Sequence, residues 1–426
     1  MTRVLPNVEE IKSAAQTAIE RCRKLSSFTE EPGRTTRTFL SPPMRDCHRE
    51  IAQWMEPLGA EIKIDDAGNI RATYAAADPH AARLLVGSHL DTVPNAGAFD
   101  GILGVVLAIS LIENLHGERL PFAIEVVGFS EEEGVRFGTP FIGSRALVGR
   151  IDEEILSRKD AQGVSVGEAI ENFGLNPRQI RDACLQGEIM GFLEFHIEQG
   201  PVLEDLGLPL GVVEAIAGQS RSTVTFLGRA NHAGTTPMDR RRDAIAAAAE
   251  WITAVEREAK RVPGLVATVG TVRSKPGVTN VIAGEAELGL DVRHSADDVR
   301  IAAVENMNRM GEEIALRRGL SMRHGALLSQ PSVAMDPVMV SHVEEAFRRS
   351  RCVAHRMVSG AGHDAMILAQ EIPTAMIFLR TPGGISHTPE ENVNPQDVEM
   401  AIEAGWHFLD VLGASPALKG KKVQRA

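Results

Sequence analysis

The segment from residue 83 to residue 134 constrains the fold more than any other part of the chain. Two short apolar runs, RLLVGSHLD (83–91) and FAIEVVGFSEEEG (122–134), flank ILGVVLAISLIENLHG (102–117), which is helical in period and closes on glycine. Strand, helix, strand in this order predicts a largely parallel sheet with helices packed on it. In such sheets functional groups gather at the carboxyl ends of the strands, because side chains there meet solvent on a rigid frame. His89 and the glutamates at 131–133 fall at such ends.

The pattern changes near residue 211. RSTVTFLGRA (221–230) alternates like a half-buried strand, and RRDAIAAAAEWITAVEREAKRV (241–262) reads as an amphipathic helix. LVATVGTVRS (265–274) and AELGLDVRH (286–294) follow as paired strands. SADDVRIAAVENMNRMGEEIALRRG (295–319) reads as a helix with Ser295 as N-cap and Asp298 three positions on, before a last strand, SMRHGALLS (321–329). The order β-α-β-β-α-β is that of the split βαβ, ferredoxin-like unit. The α/β pattern resumes at MVSHVEEAFRRS (339–350) and continues through TAMIFLR (374–380). The expected fold is therefore α/β. A discontinuous domain over 1–211 and 330–426 has a mixed, mainly parallel sheet flanked by helices, and 212–329 is an inserted α+β ferredoxin-like domain. Helices are also expected over 7–25 and 43–58, the second capped by Leu58-Gly59.

Charge excludes several functions. The balance of 45 basic against 57 acidic side chains, net -12, gives no electrostatic footprint for nucleic acid or an anionic membrane. The clusters RRR (240–242) and KGKKVQRA (419–426) read as a solvated helix start and a solvated terminus. An aromatic content of 4% disfavours a surface that stacks bases or sugars. The first thirty residues hold no apolar signal-peptide core, and no window approaches the roughly 18 apolar residues of a spanning helix. Cys22, Cys47, Cys184 and Cys352 are too scattered for a disulfide framework or a CxxC zinc site and have no His/Asp context for a nucleophile. A soluble, cytoplasmic protein is expected.

Taken alone, a His-x-Asp triplet is weak evidence for a ligand. Here four polar clusters each follow an apolar run: GSHLD (87–91) with Asp100, SEEEG (130–134), FHIEQG (195–200) and GGISHTPEE (383–391). Three consecutive glutamates repel one another unless a cation neutralises them. Imidazole and carboxylate together suit Zn, Mn, Co or Ni, and a carboxylate shared by two ions builds a two-metal hydrolytic site.

GSHLDTVPNAGAFDG (87–101), EEEG, HIEQGP, NHAGTTPMDRRRDA (231–244), GAGHDA and SHTPEE resemble the M20-type metallohydrolases and, within them, the hydantoinase/carbamoylase group, over residues 20 to 412. The resemblance implies that His89, Asp100 and His196 hold one divalent ion, and that Asp100, Glu133 and His387 hold another, with Asp100 bridging. It implies Asp91 as the carboxylate that orients the His89 imidazole and Glu132 as general base; a register slipped by one would pass base and ligand to Glu131 and Glu132. His232 is implied as oxyanion donor, delivered by the neighbouring subunit, so that the inserted domain is both lid and dimer interface of a homodimer. Arg293, aided by Asn280, would pair with a substrate carboxylate, Gln199 would bond a ureido group, and Gly360 would let backbone approach the substrate.

The activity so implied is cleavage of the C–N bond of small ureido acids, N-carbamoyl-L-amino acids or allantoate, with release of ammonia and CO2. His196 stands where the wider peptidase family usually has a carboxylate, which favours the carbamoylase branch over an exopeptidase or N-acyl amino-acid hydrolase. A catalytically silent carboxylate-binding protein is the alternative from another class. His363 and Asp364 are expected in a structural role beside the site, and His48, His80, His116, His294, His324, His342, His355 and His407 match no cluster.

Overall fold

The computed structural model describes residues 7–415 and the backbone of 421–422. The basic tail at 419–426 thus lies largely outside the described residues. The chain divides into two compact units. One takes in the chain up to Glu214, Met335–Met357 and the chain from His363 onward; the other comprises Ala215–Ala334 and Val358–Gly362.

The first unit is built on a mixed sheet. Its strands lie in the order Glu61–Ile64, Ile70–Tyr74, Ala123–Phe129, Arg83–His89, Glu188–Ile197, Thr374–Leu379 and Leu210–Ile216. Arg83–His89 runs parallel to both neighbours, and Thr374–Leu379 runs parallel to Glu188–Ile197. The remaining pairings on this path are antiparallel. The expectation of a mainly parallel sheet is therefore corrected: parallel pairing is confined to the four central strands. The physical reason is the 61–74 hairpin, which adds antiparallel strands at one edge and whose edge strand is too exposed to read as an apolar run.

Every residue of Ala123–Phe129 and of Thr374–Leu379 is buried, as expected for strands covered on both faces. The helix Ile102–Glu113 is buried through Ile112 and packs on Arg83–His89, Ala123–Phe129 and Glu188–Ile197. Helices Val8–Ser26 and Pro395–Ala414 pack on it in turn. Val8–Ser26 begins with a capping box, Asn7 accepting from the Glu10 N–H while Glu10 accepts from the Asn7 N–H. The central helix stops at Glu113 rather than Gly117: past it Leu115 and His116 donate to carbonyls three residues back, and the Asn114 side-chain amide donates to the Ser110 carbonyl at 2.8 Å.

The second unit follows the chain order Gly218–Leu227, helix Ala244–Arg261, Val266–Lys275, Glu285–His294, helix Asp297–Arg317, Ser321–Gln330. Its four-stranded sheet is antiparallel throughout, in the order Ser321–Gln330, Gly218–Leu227, Glu285–His294, Val266–Lys275. Burial alternates along Glu285–His294, and the inward positions Ala286, Leu288, Leu290 and Val292 meet Trp251, Val255, Val304 and Met307 from the helices. The Trp251 indole N–H, buried among these, donates to the Met307 carbonyl. Ser295 is not the N-cap of the second helix. Ala296 occupies that position, and the Asp297 carboxylate turns to Arg300 and to the Ser332 N–H instead. No helix among the described residues is long and apolar enough to cross a membrane.

Candidate metal centre

The four central strands end on one side of the first unit with a polar group each. His89 closes Arg83–His89, Glu131–Glu133 follow Ala123–Phe129, His196 is the penultimate residue of Glu188–Ile197, and His387 lies in the loop after Thr374–Leu379. Asp100 precedes the buried helix that starts at Ile102. Gly101 must be glycine, since its φ is 66° and an added Cβ would lie 2.5 Å from the His89 ring.

Among the described residues, three sets of ligand-capable atoms lie within 4.8 Å of one another: His89, Asp100 and His196; Asp100, Glu133 and His387; and His89, Glu132 and Glu133. The two Asp100 oxygens divide between the first two sets. Oδ1 is 3.1 Å from His196 Nε2 and 3.6 Å from His89 Nε2, whereas Oδ2 is 3.1 Å from His387 Nε2. Glu133 Oε1 is 3.4 Å from His387 Nε2. Glu131, fully buried, belongs to none of the three sets.

Hydrogen bonds at the far side of each ring decide what fits between them. His89 Nδ1 is 3.0 Å from the Asp91 carbonyl, and His196 Nδ1 is 2.9 Å from the Ile197 carbonyl. A carbonyl only accepts, so each Nδ1 carries the proton and each Nε2 turns a lone pair toward Asp100 Oδ1. Oδ1 is buried and accepts no hydrogen bond from another group. Three acceptors pointed at one another require a positive centre. Protonation can provide it: burial disfavours charge on both rings, but Asp100, joined at His89 by Asp91, overrides that and pushes both pKa values up. A divalent cation relieves all three at once, and the donor set fits one.

The same crowding acts on the acids. Burial opposes ionisation of Asp100, yet His196, His387 and His89 hold its pKa well below the usual carboxylate range. Burial raises Glu133 to about 7, with Asp100 adding to the effect. Glu132 is pushed well above the normal glutamate value by burial, reinforced by Glu133, Asp364 and Asp91 against the pull of His89. A carboxyl group so raised suits proton transfer near neutral pH.

Asp91 touches His89 mainly through its backbone carbonyl. Its carboxylate, 3.5 Å from His89 Nδ1, accepts the backbone N–H groups of Glu132 at 2.9 Å and Glu133 at 3.0 Å, so it also fixes the glutamate turn. Gln199 donates from its amide to Asp100 Oδ2 at 2.9 Å and lies 3.3 Å from His387 Nε2. Gln199 and His387 both take positive φ, 58° and 59°, a conformation that costs a non-glycine residue energy and is kept where side-chain direction matters. The His363 ring packs edge-on against His196 with centroids 4.4 Å apart, and Asp364 is fully buried beside it in sequence.

His232, Asn280, Arg293 and Gly360 belong to the second unit. His232 is exposed, and its Nδ1 accepts the N–H groups of Gly234 and Thr235, which puts the ring proton on Nε2 and makes it a free donor. The Ala233 N–H bonds the Asn280 carbonyl. Arg241 donates to the carbonyls of Thr236 and Ala233; it braces the His232 loop and is not a solvated helix start. Arg293 is gripped by both oxygens of Asp291, at 2.9 and 3.1 Å, and donates to the Gly360 carbonyl at 2.6 Å. An added Cβ on Gly360 meets nothing within 4 Å among the described residues, so the fold itself does not require glycine there.

Sequence reasoning missed Asp291, Glu194 and Glu391. Asp291 stands two positions before Arg293 on one strand face, a period-2 signal that was available. Glu194, two before His196 and fully buried, accepts from Ser88 Oγ and from the Ala365 N–H. Glu391 is buried while its neighbour Glu390 is exposed, and nothing local distinguishes the two.

The model of peptidase family M20/M25/M40 matches residues 85–410. The chain belongs to this family. Within it the chain falls in the hydantoinase/carbamoylase group. It is 37% identical over 394 residues to an N-carbamoyl-L-amino acid amidohydrolase of Geobacillus stearothermophilus, covering 92% of this chain and 96% of that one. It is 35% identical over 429 residues to allantoate deiminase 2 of Glycine max, covering 93% and 89%. Among solved structures, the hydantoinase/carbamoylase family amidase of Burkholderia multivorans superposes with a TM-score of 0.89 at 32% identity, over 95% of this chain and 98% of that one. By family this M20 member is a hydrolase of the amidohydrolase type.

Proposed function

We propose that the protein is a two-metal amidohydrolase that cleaves the C–N bond of ureido acids, either N-carbamoyl-L-amino acids or allantoate, with release of ammonia and CO2. The observation that carries this reading is Asp100, one oxygen toward His89 and His196 and the other toward His387, in a chain whose relatives bear these two substrate names. His89, Asp100 and His196 would hold one ion and Asp100, Glu133 and His387 a second, as Zn, Mn, Co or Ni. When bound, the ions supply positive charge that makes a water acidic enough to attack at neutral pH.

The chain's own residues do the rest. Glu132, with Asp91 fixing its backbone, takes the proton of the attacking water and delivers it to the leaving nitrogen; membership of the His89, Glu132 and Glu133 set supports this register over one based on Glu131. The free Nε2–H of His232 donates to the oxyanion. Arg293, pre-oriented by Asp291 and aided by Asn280 and the Gly360 backbone, pairs with the substrate carboxylate. Gln199 bonds the ureido group. The β-α-β-β-α-β unit serves as a ferredoxin-like lid and dimerisation domain; its edge strand Val266–Lys275, with Val266 and Val272 exposed, supports strand addition from a second copy. The active site of each subunit of this cytoplasmic homodimer is then completed by the partner's lid.

Ammonia release tests the proposal. Chelator-stripped protein is reloaded with Mn or Zn and offered N-carbamoyl-L-methionine, N-carbamoyl-β-alanine, allantoate and a dipeptide. Turnover of one ureide is expected. Turnover of the dipeptide alone would replace this reading with an exopeptidase, and binding without turnover would leave a silent carboxylate binder.

A further inference from the structure

Among the described buried acids around the centre that take no part in the proposed chemistry, Glu391 bonds both the loop before Asp100 and the loop that carries His387. Glu391 is 5% exposed. Its Oε1 accepts the backbone N–H groups of Phe99 at 2.9 Å and Asp100 at 3.0 Å, and its Oε2 accepts from Ser386 Oγ at 3.0 Å. The Ser386 hydroxyl also lies 3.4 Å from Asp100 Oδ2. Glu391 itself closes a tight turn with Thr388, its N–H donating to the Thr388 carbonyl, so it bonds the residues on both sides of His387.

One carboxylate therefore joins two loops that approach from opposite ends of the sequence: the loop that ends in Asp100 and the loop that carries His387. The fit is close. A Cβ on Gly97 would lie 2.4 Å from the Glu391 Cβ and 2.5 Å from its Oε1, so the first loop is shaped to admit this side chain. The far side of that loop is held by Thr36, whose hydroxyl accepts from the Asn95 N–H, and by Thr35, whose carbonyl accepts from the Ala96 N–H.

The two loops matter unequally to the two ligand sets. Two of the first set's three ligands, His89 and His196, sit on sheet strands, which fix them without Glu391, and the shared Asp100 is also held through its carbonyl, which accepts the Ile102 N–H at 2.7 Å. His387 lies on a loop, half exposed and at positive φ, and its distance from Asp100 is set by whatever holds the loops together. We propose that Glu391 is a positioning residue that clamps the Asp100 and His387 loops and thereby sets the affinity of the Asp100–Glu133–His387 site for its ion, leaving the His89–Asp100–His196 site nearly untouched. This rests on the two-ion part of the function proposed above, but not on any substrate.

The test is a Co2+ titration of the chelator-stripped full-length protein, followed by calorimetry and by visible absorption, with no turnover involved. Wild type should bind in two steps. Glu391→Ala should weaken the second step by about 10–100-fold, the range found when a partner that orients a ligand is lost, and leave the first within about threefold. Glu391→Gln should rescue the second step to within about threefold, because its amide oxygen still accepts the two N–H groups and its NH2 can donate to Ser386 Oγ. Should Glu391→Ala not fold, Ser386→Ala reports instead, with a several-fold loss confined to the second step. Two wild-type steps in Glu391→Ala, equal weakening of both steps, or a wild type that binds a single ion would each overturn the proposal. Two normal steps in a wild type that hydrolyses no ureide would sink the proposed substrate class and leave the clamp standing.

Discussion

The His89–Asp100–His196 set and the Asp100–Glu133–His387 set share a carboxylate and are built from opposite materials. In the first, all three side chains are at most 4% exposed and the imidazoles stand on strands locked in the central sheet. In the second, the His387 side chain is 48% exposed and comes from a loop that needs positive φ and an outside clamp. A site on strands inherits its geometry from the backbone ladder, whereas a site on loops depends on each contact that closes it. The contrast leads us to expect one tightly held ion and one exchangeable ion, and the following outcomes would break or sharpen it.

Asp100→Asn should have the largest effect, since it alone belongs to both sets: both ions are lost and ureide turnover falls to background, read by metal analysis and ammonia release. Survival of either ion would mean that the carboxylate is not the shared element. Glu132→Gln should lower turnover by about 10²–10⁴-fold, the usual contribution of a general base, without changing metal content. A parallel loss of metal would turn Glu132 from base into ligand.

His387→Ala and His196→Ala test the asymmetry directly. The first should retain one equivalent of metal through extensive dialysis, and the second should lose metal from the buried site or fail to order it. Equal retention in the two variants would erase the distinction between strand-borne and loop-borne ligands. Because imidazole must be deprotonated to bind, metal affinity should also fall as pH drops below the range to which Asp100 raises the rings, with the exposed site emptied first.

A smaller effect comes from an imidazole outside both sets. His48 is as buried as His89, yet burial and the positive charges of Arg37 and Arg45 lower its pKa to about 3. The unfolded chain binds a proton near the ordinary imidazole value and the folded chain does not. The stability so contributed is complete above pH ~6.5 and is lost as pH falls from there toward the folded value, by up to about 1.4 kcal/mol per pH unit. Denaturant unfolding of His48→Phe between pH 7 and 5 should show a flatter dependence than wild type; an unchanged slope would mean that His48 is not neutral in the fold.

Much of the frame is written locally. The apolar runs ending in His89, in the three glutamates and in His196 mark strand ends, and the switch near residue 211 from buried to alternating runs marks a change of architecture. Other features were not legible. The 61–74 hairpin lacks an apolar outer strand, and Asp297 rather than Ser295 organises the start of its helix because Arg300 and Ser332 claim its carboxylate. Glu390 and Glu391 are the same residue type in adjacent positions, and only burial against Gly97 and Ser386 separates them.

By itself the sequence determined the strand and helix periods and which segments end in polar clusters, because periodicity and turn chemistry act over a few residues. Tertiary structure alone decided that four such segments end at one side of one sheet, which Asp100 oxygen faces which imidazole, that the Asp91 carboxylate is spent on two backbone amides, and that Glu391 ties residue 100 to residue 386. Those facts follow from strand order and loop packing across hundreds of residues, where the directing forces are burial and hydrogen-bond satisfaction of groups distant in the chain.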